Sequence, residues 1–486
     1  MRQARIERAL QKNGGPMRTT TANLAVTTRL TQLAMCVSAL FGVQHTVFAT
    51  NVTDCSDGGG ANTLRSVIAN AASGDITNVS QCSLITLTQG EIATNLSRVR
   101  IQGNGSNIIS GNNNSRIINH TGTGGYLLLL DVTIQNGKRA AANALGGCVY
   151  SSGPRVSLDH ATIRDCNATE TAAGGVAKGG GVYAKNVLDL RDSVVTGNTA
   201  TQQSSSYFKA YGGGVFATTI TAYNSSFSNN TLNSTGGLMT AKYTQGGGAF
   251  SSGTAKLYSC TLSNNVAGKY AAAMLNKGGA GGVVIADSTI SGNIALHKTG
   301  GVWLGAGAAT VANSTIAFNS SYDTNGPEGV LAKGILVLQS SIIAKNTYNS
   351  GTESDLGGSG SVDAASANNL IITSSLAVPA DTIHLDPRLL PLANNGGATQ
   401  THALDAGSPA IDHGNAVFNF SNFVPVSCDQ RGNPGHEMNP PNTYSCGGTG
   451  GFLRTDSDPK HSKPDIGAYE EQFPNPDWVF YDGFGF

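Results

Sequence analysis

Residues 212–230 read GGGVFATTITAYNSSFSNN. Three glycines open the stretch, strand-like residues fill it and paired asparagines close it. Its last seven residues, NSSFSNN (224–230), are one copy of a core that occurs eight times. The other copies are DVTIQNG (131–137), HATIRDC (160–166), DSVVTGN (192–198), SCTLSNN (259–265), DSTISGN (287–293), NSTIAFN (313–319) and SSIIAKN (340–346). The fourth position is always Ile, Val, Phe or Leu and the second is always small. Six of the eight copies end in Asn, the exceptions being Gly137 and Cys166. Successive final positions lie 29, 32, 32, 35, 28, 26 and 27 residues apart. Such intervals belong to stacked structural repeats, not to separate domains.

A strand sends alternate side chains to opposite faces. The second and fourth positions therefore share an inward face, and the first and third point out. Val132, Ala161, Ser193, Ser225, Cys260, Ser288, Ser314 and Ser341 then line the interior. Cys260 reads as a buried free thiol standing in for Ser, not as a nucleophile. One short strand per unit, without helical periodicity between units, makes the chain all-β. The expected fold is a right-handed parallel β-helix, one unit per turn. Rungs ~4.8 Å apart would make about ten turns a rod on the order of 50 Å long. The closing Asn198, Asn230, Asn265, Asn293, Asn319 and Asn346 suit this fold twice over. Asn tolerates left-handed backbone angles at a turn, and stacked amides can bond one another as a ladder. The pairs and triplets Gly146-Gly147, Gly179–Gly181, Gly212–Gly214, Gly246–Gly248, Gly281-Gly282 and Gly300-Gly301 each precede a Val/Ala-containing strand and are expected to form its corner.

Only 12% of the 486 residues are charged, against a usual ~25%. The formal net charge is zero, and no Lys/Arg cluster stands out along the chain. This argues against nucleic-acid binding and electrostatic membrane binding. Near the N-terminus, Arg18 and Arg29 precede an apolar centre at 33–43, too short to span a bilayer. Val47-Phe48-Ala49 suits signal-peptidase cleavage after Ala49, with Met17 as a candidate start. No later segment is long and apolar enough for a transmembrane helix. The chain therefore reads as exported, either extracellular or associated with the outer membrane or cell surface. Export permits disulfides, and proximity pairs Cys55–Cys82, Cys148–Cys166 and Cys428–Cys446.

A solenoid must cover its terminal rungs, which otherwise expose bare strand edges and the interior. In NTLRSVIANAASG (62–74), Leu64, Val67, Ile68 and Ala71 share one helical face. Asn62 is placed to N-cap this helix and Gly74 to end it. The helix is expected to cap the first rung.

The strings GGGVF…FSNN and GGGAF…LSNN resemble the GGA-[ILV] and FxxN repeats of polymorphic outer-membrane proteins (Pmp). Those proteins display β-helical passengers on bacterial surfaces, and the resemblance covers about residues 146–320. They also carry a large C-terminal membrane barrel, for which this sequence has no sufficiently long segment. NTLRSVIANAASGDI resembles the SLREAI-type segment of the CSLREA domain, found before β-helices in secreted bacterial proteins, with Ser66-Val67 replacing Glu-Ala. LDAGSPAIDHGN (404–415), CDQRGNPG (428–435) and PDIGAYE (464–470) resemble, in order, the SPAIDxG, DxRGxxR and DIGAxE blocks of the choice-of-anchor Q domain. Gly435-His436 stands where that family often has Arg. The last resemblance implies an end module on the β-helix of an exported bacterial protein. The resulting division is a signal peptide at 1–49, a CSLREA-like cap at 50–105, β-helix repeats at 106–385, a choice-of-anchor Q-like cap at 386–471 and an aromatic, Gly-rich tail at 472–486. Asp412, Asp429 and Asp465, with Glu470, are candidates to converge on calcium. The other reading has each Asp bonding its own turn amides and Arg431 pairing with one carboxylate. No other cofactor is indicated.

β-Helices host polysaccharide-cleaving enzymes, and inverting glycosidases use two carboxylates at catalytic separation. Asp189 and Asp192 are close in sequence. Asp192, however, shares a column with Asn224, Asp287 and Asn313, the pattern of a turn-supporting stack. SLDHATI (157–163) resembles the IDH strand of pectate lyases, without an RxPxxR-like segment to supply a base. No GxSxG, HExxH or phosphate-loop motif is present. Insertions rich in Tyr and Lys around 207–211 and 239–243 are candidate glycan-binding loops. The expectation is a non-catalytic display, adhesion or glycan-binding rod, with no catalytic residues assigned. Its partner would be a polysaccharide or a host or neighbouring cell surface. The alternative is a secreted polysaccharide lyase or glycoside hydrolase acting in the side groove.

Overall fold

The computed structural model describes residues 47–203, 209–234, 244–279, 281–322, 326–348, 351–415, 429–431, 433–434, 446–447 and 463–470. The signal segment through residue 46, Cys428 and the 472–486 tail lie outside them. Each repeat forms one turn of a parallel β-helix. The turn containing the opening stretch runs through strands Val215–Ala217, Thr219–Tyr223, Ser226–Ser228 and Thr231–Ser234. It lies in register on the turn before, with Val182 against Val215, Leu188 against Ile220, Val195 against Phe227 and Ala200 against Leu232. Among the described residues the turns build a wide sheet of 21 strands and narrower sheets of ten, nine and four.

The fourth-position residues Ile134, Ile163, Val195, Phe227, Leu262, Ile290, Ile316 and Ile343 are fully buried, and the small second-position residues are buried beside them. Cys260 takes its place in that second column. Its Sγ donates to the Tyr258 carbonyl at 3.2 Å, as the hydroxyls of Ser193, Ser225, Ser288 and Ser314 donate to the carbonyl two residues earlier. Burial pushes the Cys260 thiol up to about 12, which keeps it protonated and unreactive.

The closing asparagines form a continuous ladder. Nδ2 donates to Oδ1 of the next turn from Asn198 to Asn230 (3.0 Å), to Asn265 (3.0 Å), to Asn293 (2.9 Å), to Asn319 (2.8 Å) and to Asn346 (2.9 Å). Each Oδ1 also accepts a backbone N–H, such as that of Asn198 on Asn230 at 3.1 Å. The second Nδ2 proton goes to a carbonyl one turn back, such as Ile163 O at 3.0 Å from Asn198. The hydrogen-bonding capacity of each buried amide is thereby filled. At the first rung Cys166 occupies the Asn position, gives its N–H to Asn198 Oδ1 at 3.1 Å and is disulfide-bonded to Cys148. At the last rung Asp355 does so: Oδ1 accepts Asn346 N and Nδ2 at 2.9 Å, and Oδ2 accepts Thr373 N and Oγ1 at 3.0 Å.

The left-handed residue expected at the closing Asn sits one place earlier. Asn229, Asn264, Phe318 and Lys345 have φ of 56°, 55°, 57° and 58°. That twist turns the following Asn side chain into the buried corner. A second left-handed residue, Asn224 at φ 46°, splits the wide sheet's contribution into two strands per turn. At the other corner Gly212 has φ 66°, a post held by Ala271 (φ 52°) and Thr299 (φ 60°) in later turns. Gly281-Gly282, expected to form that corner, instead precede Val283–Ala286 in the wide sheet.

At the N-terminal end, helix Leu64–Asn70 buries Leu64, Val67 and Ile68. Thr63, not Asn62, is its N-cap, because the Asn62 carbonyl is bound by the amides of Thr53 and Asp54. The helix ends at Asn70, short of Gly74, and Cys55–Cys82 fastens the segment before it.

The C-terminal module differs most from expectation. Leu376 and Val378, ahead of it in the chain, pack against the end of the main core. The described residues of the module instead reach back along the outer face of the wide sheet. Thr399 Oγ1 donates to Ser259 O at 3.0 Å, Thr261 Oγ1 to Gln400 O at 2.6 Å and Thr289 Oγ1 to Gln430 Oε1 at 2.6 Å. Farther along, Ala468 N donates to Thr315 Oγ1 at 3.0 Å and Gly467 N to Ser340 O at 2.8 Å. Ala410 and Ile466 pack on Ile342, Ala344 and Leu370. First- and third-position residues from Ser259 onward, expected to face solvent, are therefore buried, whereas Asp131, His160, Thr162 and Asp192 are not.

The ladder yields a stability prediction. Asn265→Ala strips the acceptor from Asn230 N and Nδ2 and the donor from Phe227 O. At about 1–3 kcal/mol per orphaned buried group, it should lower unfolding free energy by roughly 3 kcal/mol or more in denaturant titrations. Asp355→Asn keeps one acceptor oxygen and should cost less than half of that.

Candidate functional site: a lysine-flanked aromatic face

The strand after each glycine corner points its middle residue outward. In register along the ten-stranded sheet these are Asn119, Tyr150, Tyr183, Phe216, Phe250, Leu275, Trp303 and Leu331. Tyr150, Tyr183, Phe216 and Phe250 stack with successive centroids 5.4, 5.3 and 5.1 Å apart and planes within 8° of parallel. Stacking covers the ring faces, and Phe216 and Phe250 are themselves buried with Ala271 and Leu275, leaving Tyr183, Tyr211, Tyr270 and Trp303 as the partly exposed margin of the cluster. Five residues before each of these, a parallel column holds Lys178, Tyr211, Gln245, Tyr270 and Lys298. Two residues after them, Lys185, Lys277 and Lys333 line the far side. The aromatic column is thus flanked by amines at separate rungs, two on one side and three on the other. Lys178, Lys185, Lys277, Lys298 and Lys333 form no ion pair among the described residues. Lys178 Nζ lies 4.6 Å from the Phe216 centroid, and Lys333 Nζ 4.7 Å from that of Trp303. Burial, reinforced by Lys277, lowers the Lys178 pKa, and burial raises the Tyr183 and Tyr211 phenols.

Sequence reasoning passed over this face because it read the glycine runs only as corners. The signal was nonetheless written in KGGGVYAK (178–185), YGGGVF (211–216), QGGGAF (245–250) and KTGGVW (298–303). The candidate loops at 207–211 and 239–243 lie mostly outside the described residues. Tyr211 is placed, tilted against Phe250 with centroids 5.0 Å apart.

The carboxylates flagged in the sequence lie on the wide sheet. Asp189 pairs with Arg155 at 2.7 Å; burial raises its pKa, with Arg155 opposing. Asp192 accepts from Asn224 Nδ2 at 3.2 Å, and His160 lies 2.8 Å from Asp159 and 3.7 Å from Asp192. The Asp-His pair of SLDHATI thus engages its own neighbours.

The calcium candidates are in the C-terminal module. Asp429 pairs with the guanidinium of Arg431 at 2.5 Å, both side chains nearly fully buried, and also accepts Arg431 N at 3.0 Å and Glu470 N at 3.1 Å. Asp465 Oδ1 accepts Asp412 N at 2.9 Å, and Glu470 Oε2 accepts Asp465 N at 3.0 Å. Among the described residues no three acidic, His or Cys side chains form a metal-holding group. The guanidinium takes the cation's place at Asp429, so this donor set fits a buried ion pair better than calcium.

No family model matches the chain, and no curated protein matches it. The resemblances of its repeats and end segments to named families rest on the quoted motifs alone. Among solved structures it is similar to the crystal structure of pectate lyase Pel9A, at 15% identity over 88% of this chain and 96% of that one, with a TM-score of 0.42. So loose a likeness transfers no residue roles. No helix among the described residues is long and apolar enough to cross a membrane.

Two outcomes are expected for the C-terminal module. Asp429→Asn leaves a buried guanidinium without its counter-charge and should destabilise the module by about 3–5 kcal/mol. Hydrogen exchange at 259–261 and 289–291 would show the sheet uncovered, while a calcium chelator should leave the melting temperature unchanged. His402, bound to Leu390 O at 2.7 Å and Ser291 Oγ at 2.8 Å, has its pKa lowered by burial. The unfolded chain protonates it near its ordinary ~6.5, whereas the folded chain resists protonation. Its stabilisation is thus complete above that pH and declines as pH falls below it. Melting temperature should drop between pH 7 and 5.5, and less steeply in His402→Asn.

Proposed function

We propose that this chain is an exported β-helix protein that holds an anionic polysaccharide along its lysine-flanked aromatic face without cleaving it. In the cell-surface setting implied by its sequence resemblances, this would attach it to the glycans of a host or neighbouring cell. The observation that carries the reading is the set of five lysines without ion-pair partners, Lys178, Lys185, Lys277, Lys298 and Lys333, that flank the aromatic column on both sides. Lys178 and Lys277 oppose each other's charge, and a polyanion laid along them relieves that repulsion. The stacked rings have few free faces to offer a neutral sugar and Phe216 and Phe250 are buried, so charge and the tyrosine hydroxyls supply the contacts.

Lys178 favours a second reading, that of a polysaccharide lyase. An amine with a lowered pKa is suited to remove a proton beside a uronate carboxyl group. One experiment separates the two readings: calorimetric binding to acidic and neutral polysaccharides, with parallel assays for new reducing and unsaturated ends. The expected result is salt-sensitive binding to acidic polymers and no new ends. Replacing Lys185, Lys277 and Lys333 together by Ser should weaken that binding about tenfold, at roughly 0.5 kcal/mol per exposed charge contact. Failure to bind any acidic polymer would refute the proposal. Turnover abolished by Lys178→Gln would establish the lyase instead.

A further inference from the structure

Beside Tyr150, the first ring of the aromatic column, lies an open pocket of about 520 Å³ whose walls include Glu91, Asn113, Ser115, Arg116, Lys138 and Arg139. Arg116 ties it to the aromatic face, with its guanidinium 5.0 Å from the Tyr150 centroid. Only 6% of Arg116 is exposed. Its Nη2 pairs with Glu91 Oε2 at 2.7 Å and its Nη1 donates to Leu145 O at 2.9 Å, while its buried Nε has no hydrogen-bond partner. Ser115 Oγ, also buried, is likewise unpartnered. Burial and the nearby Arg139 both press against the Arg116 charge, and Glu91, with a smaller contribution from Tyr150, supports it. Glu91 is further engaged, since its Oε1 accepts Asn119 Nδ2 at 2.8 Å. Lys138 is exposed and Arg139 half-buried, and neither forms an ion pair among the described residues.

Three cations therefore meet one carboxylate. A buried guanidinium with an unused N–H, crowded by a second guanidinium, lacks the anion that would complete its charge and hydrogen bonding. We infer that this pocket is an oxyanion subsite at the head of the lysine-flanked face, taking a carboxylate or sulfate group carried on a sugar. The inference rests on the glycan-binding reading of that face and makes it directional: one charged sugar is fixed in the pocket, and the chain continues over Tyr150 and Tyr183 towards Trp303. Asn113 and Ser115 add polar contacts that distinguish a sugar oxyanion from a bare ion.

The test uses the full chain and calorimetry with an oligogalacturonate, a sulfated oligosaccharide and a neutral oligosaccharide of equal length. The variants are K138A/R139A at the pocket and K277A/K333A on the face. Neither pair contains a residue in a described ion pair, and melting curves check that each variant folds. The expected result is that K138A/R139A weakens the acidic ligand by about 10- to 100-fold, the range for lost charge-assisted hydrogen bonds. Neutral-ligand binding should not move. Whether the uronate or the sulfate arm shows the loss identifies the group taken. An acidic ligand weakened by K277A/K333A but untouched by K138A/R139A would overturn the subsite while leaving the face intact. Absence of any acidic-ligand binding by the unmodified chain would overturn both. Equal loss for acidic and neutral ligands would also overturn the subsite, since it would show a shape effect rather than recognition of charge.

Discussion

The buried asparagine column is the constraint on which this molecule depends. A β-helix turns its backbone at an interior corner from which water is excluded, and every amide and carbonyl there must find a partner inside the protein. The ladder from Asn198 to Asn346 meets that demand by making each turn the hydrogen-bond partner of the next. Because one amide serves two turns, no rung can slip without orphaning groups on both sides. The ends must be closed by something other than another Asn. A disulfide-bonded cysteine does so at one end, and Asp355, bonded by Asn346 and Thr373, at the other.

Register set in the corner is transmitted to the outside. With strands locked in parallel, the same sequence offset in every turn falls on the same exterior line. Aromatic residues therefore stack at rung spacing, and Lys178 and Lys298 on one side and Lys185, Lys277 and Lys333 on the other fall on two lines beside them. Charges that look sparse along the chain become a directional surface once wound up. The face and the Arg116 pocket at its head are consequences of winding and not of any local motif.

The wide sheet's outer face has a different fate. From Ser259 onward it is covered by the returning C-terminal module, through threonine hydroxyls and the apolar pair Ile342 and Ala344. The buried Asp429–Arg431 pair braces the module from within. Covering this face leaves the lysine-flanked margin of the aromatic sheet, with Tyr150, Tyr183 and Trp303 half-buried along it, as the surface on which the glycan-binding proposal rests.

Counting along the sequence is enough for the fold class, the inward columns, the small-residue post at Cys260 and the Asn stack, whereas proximity only suggested the disulfides Cys55–Cys82 and Cys148–Cys166 that the structure forms. The columns follow from periodicity, because a side chain's face in a strand is fixed by counting. The sequence also contained the aromatic and lysine offsets, although their meaning requires knowing that the turns stack in register. Tertiary structure alone decided the rest. Gln430 meets Cys260 and Thr261 across about 170 residues of chain, and no local pattern specifies which surface a returning segment will cover. The helix cap moved from Asn62 to Thr63 because the Thr53 and Asp54 amides claimed the Asn62 carbonyl. The left-handed residue fell before each closing Asn because the amide had to point into the corner. In each case a long-range partner chose between options that were nearly equal locally.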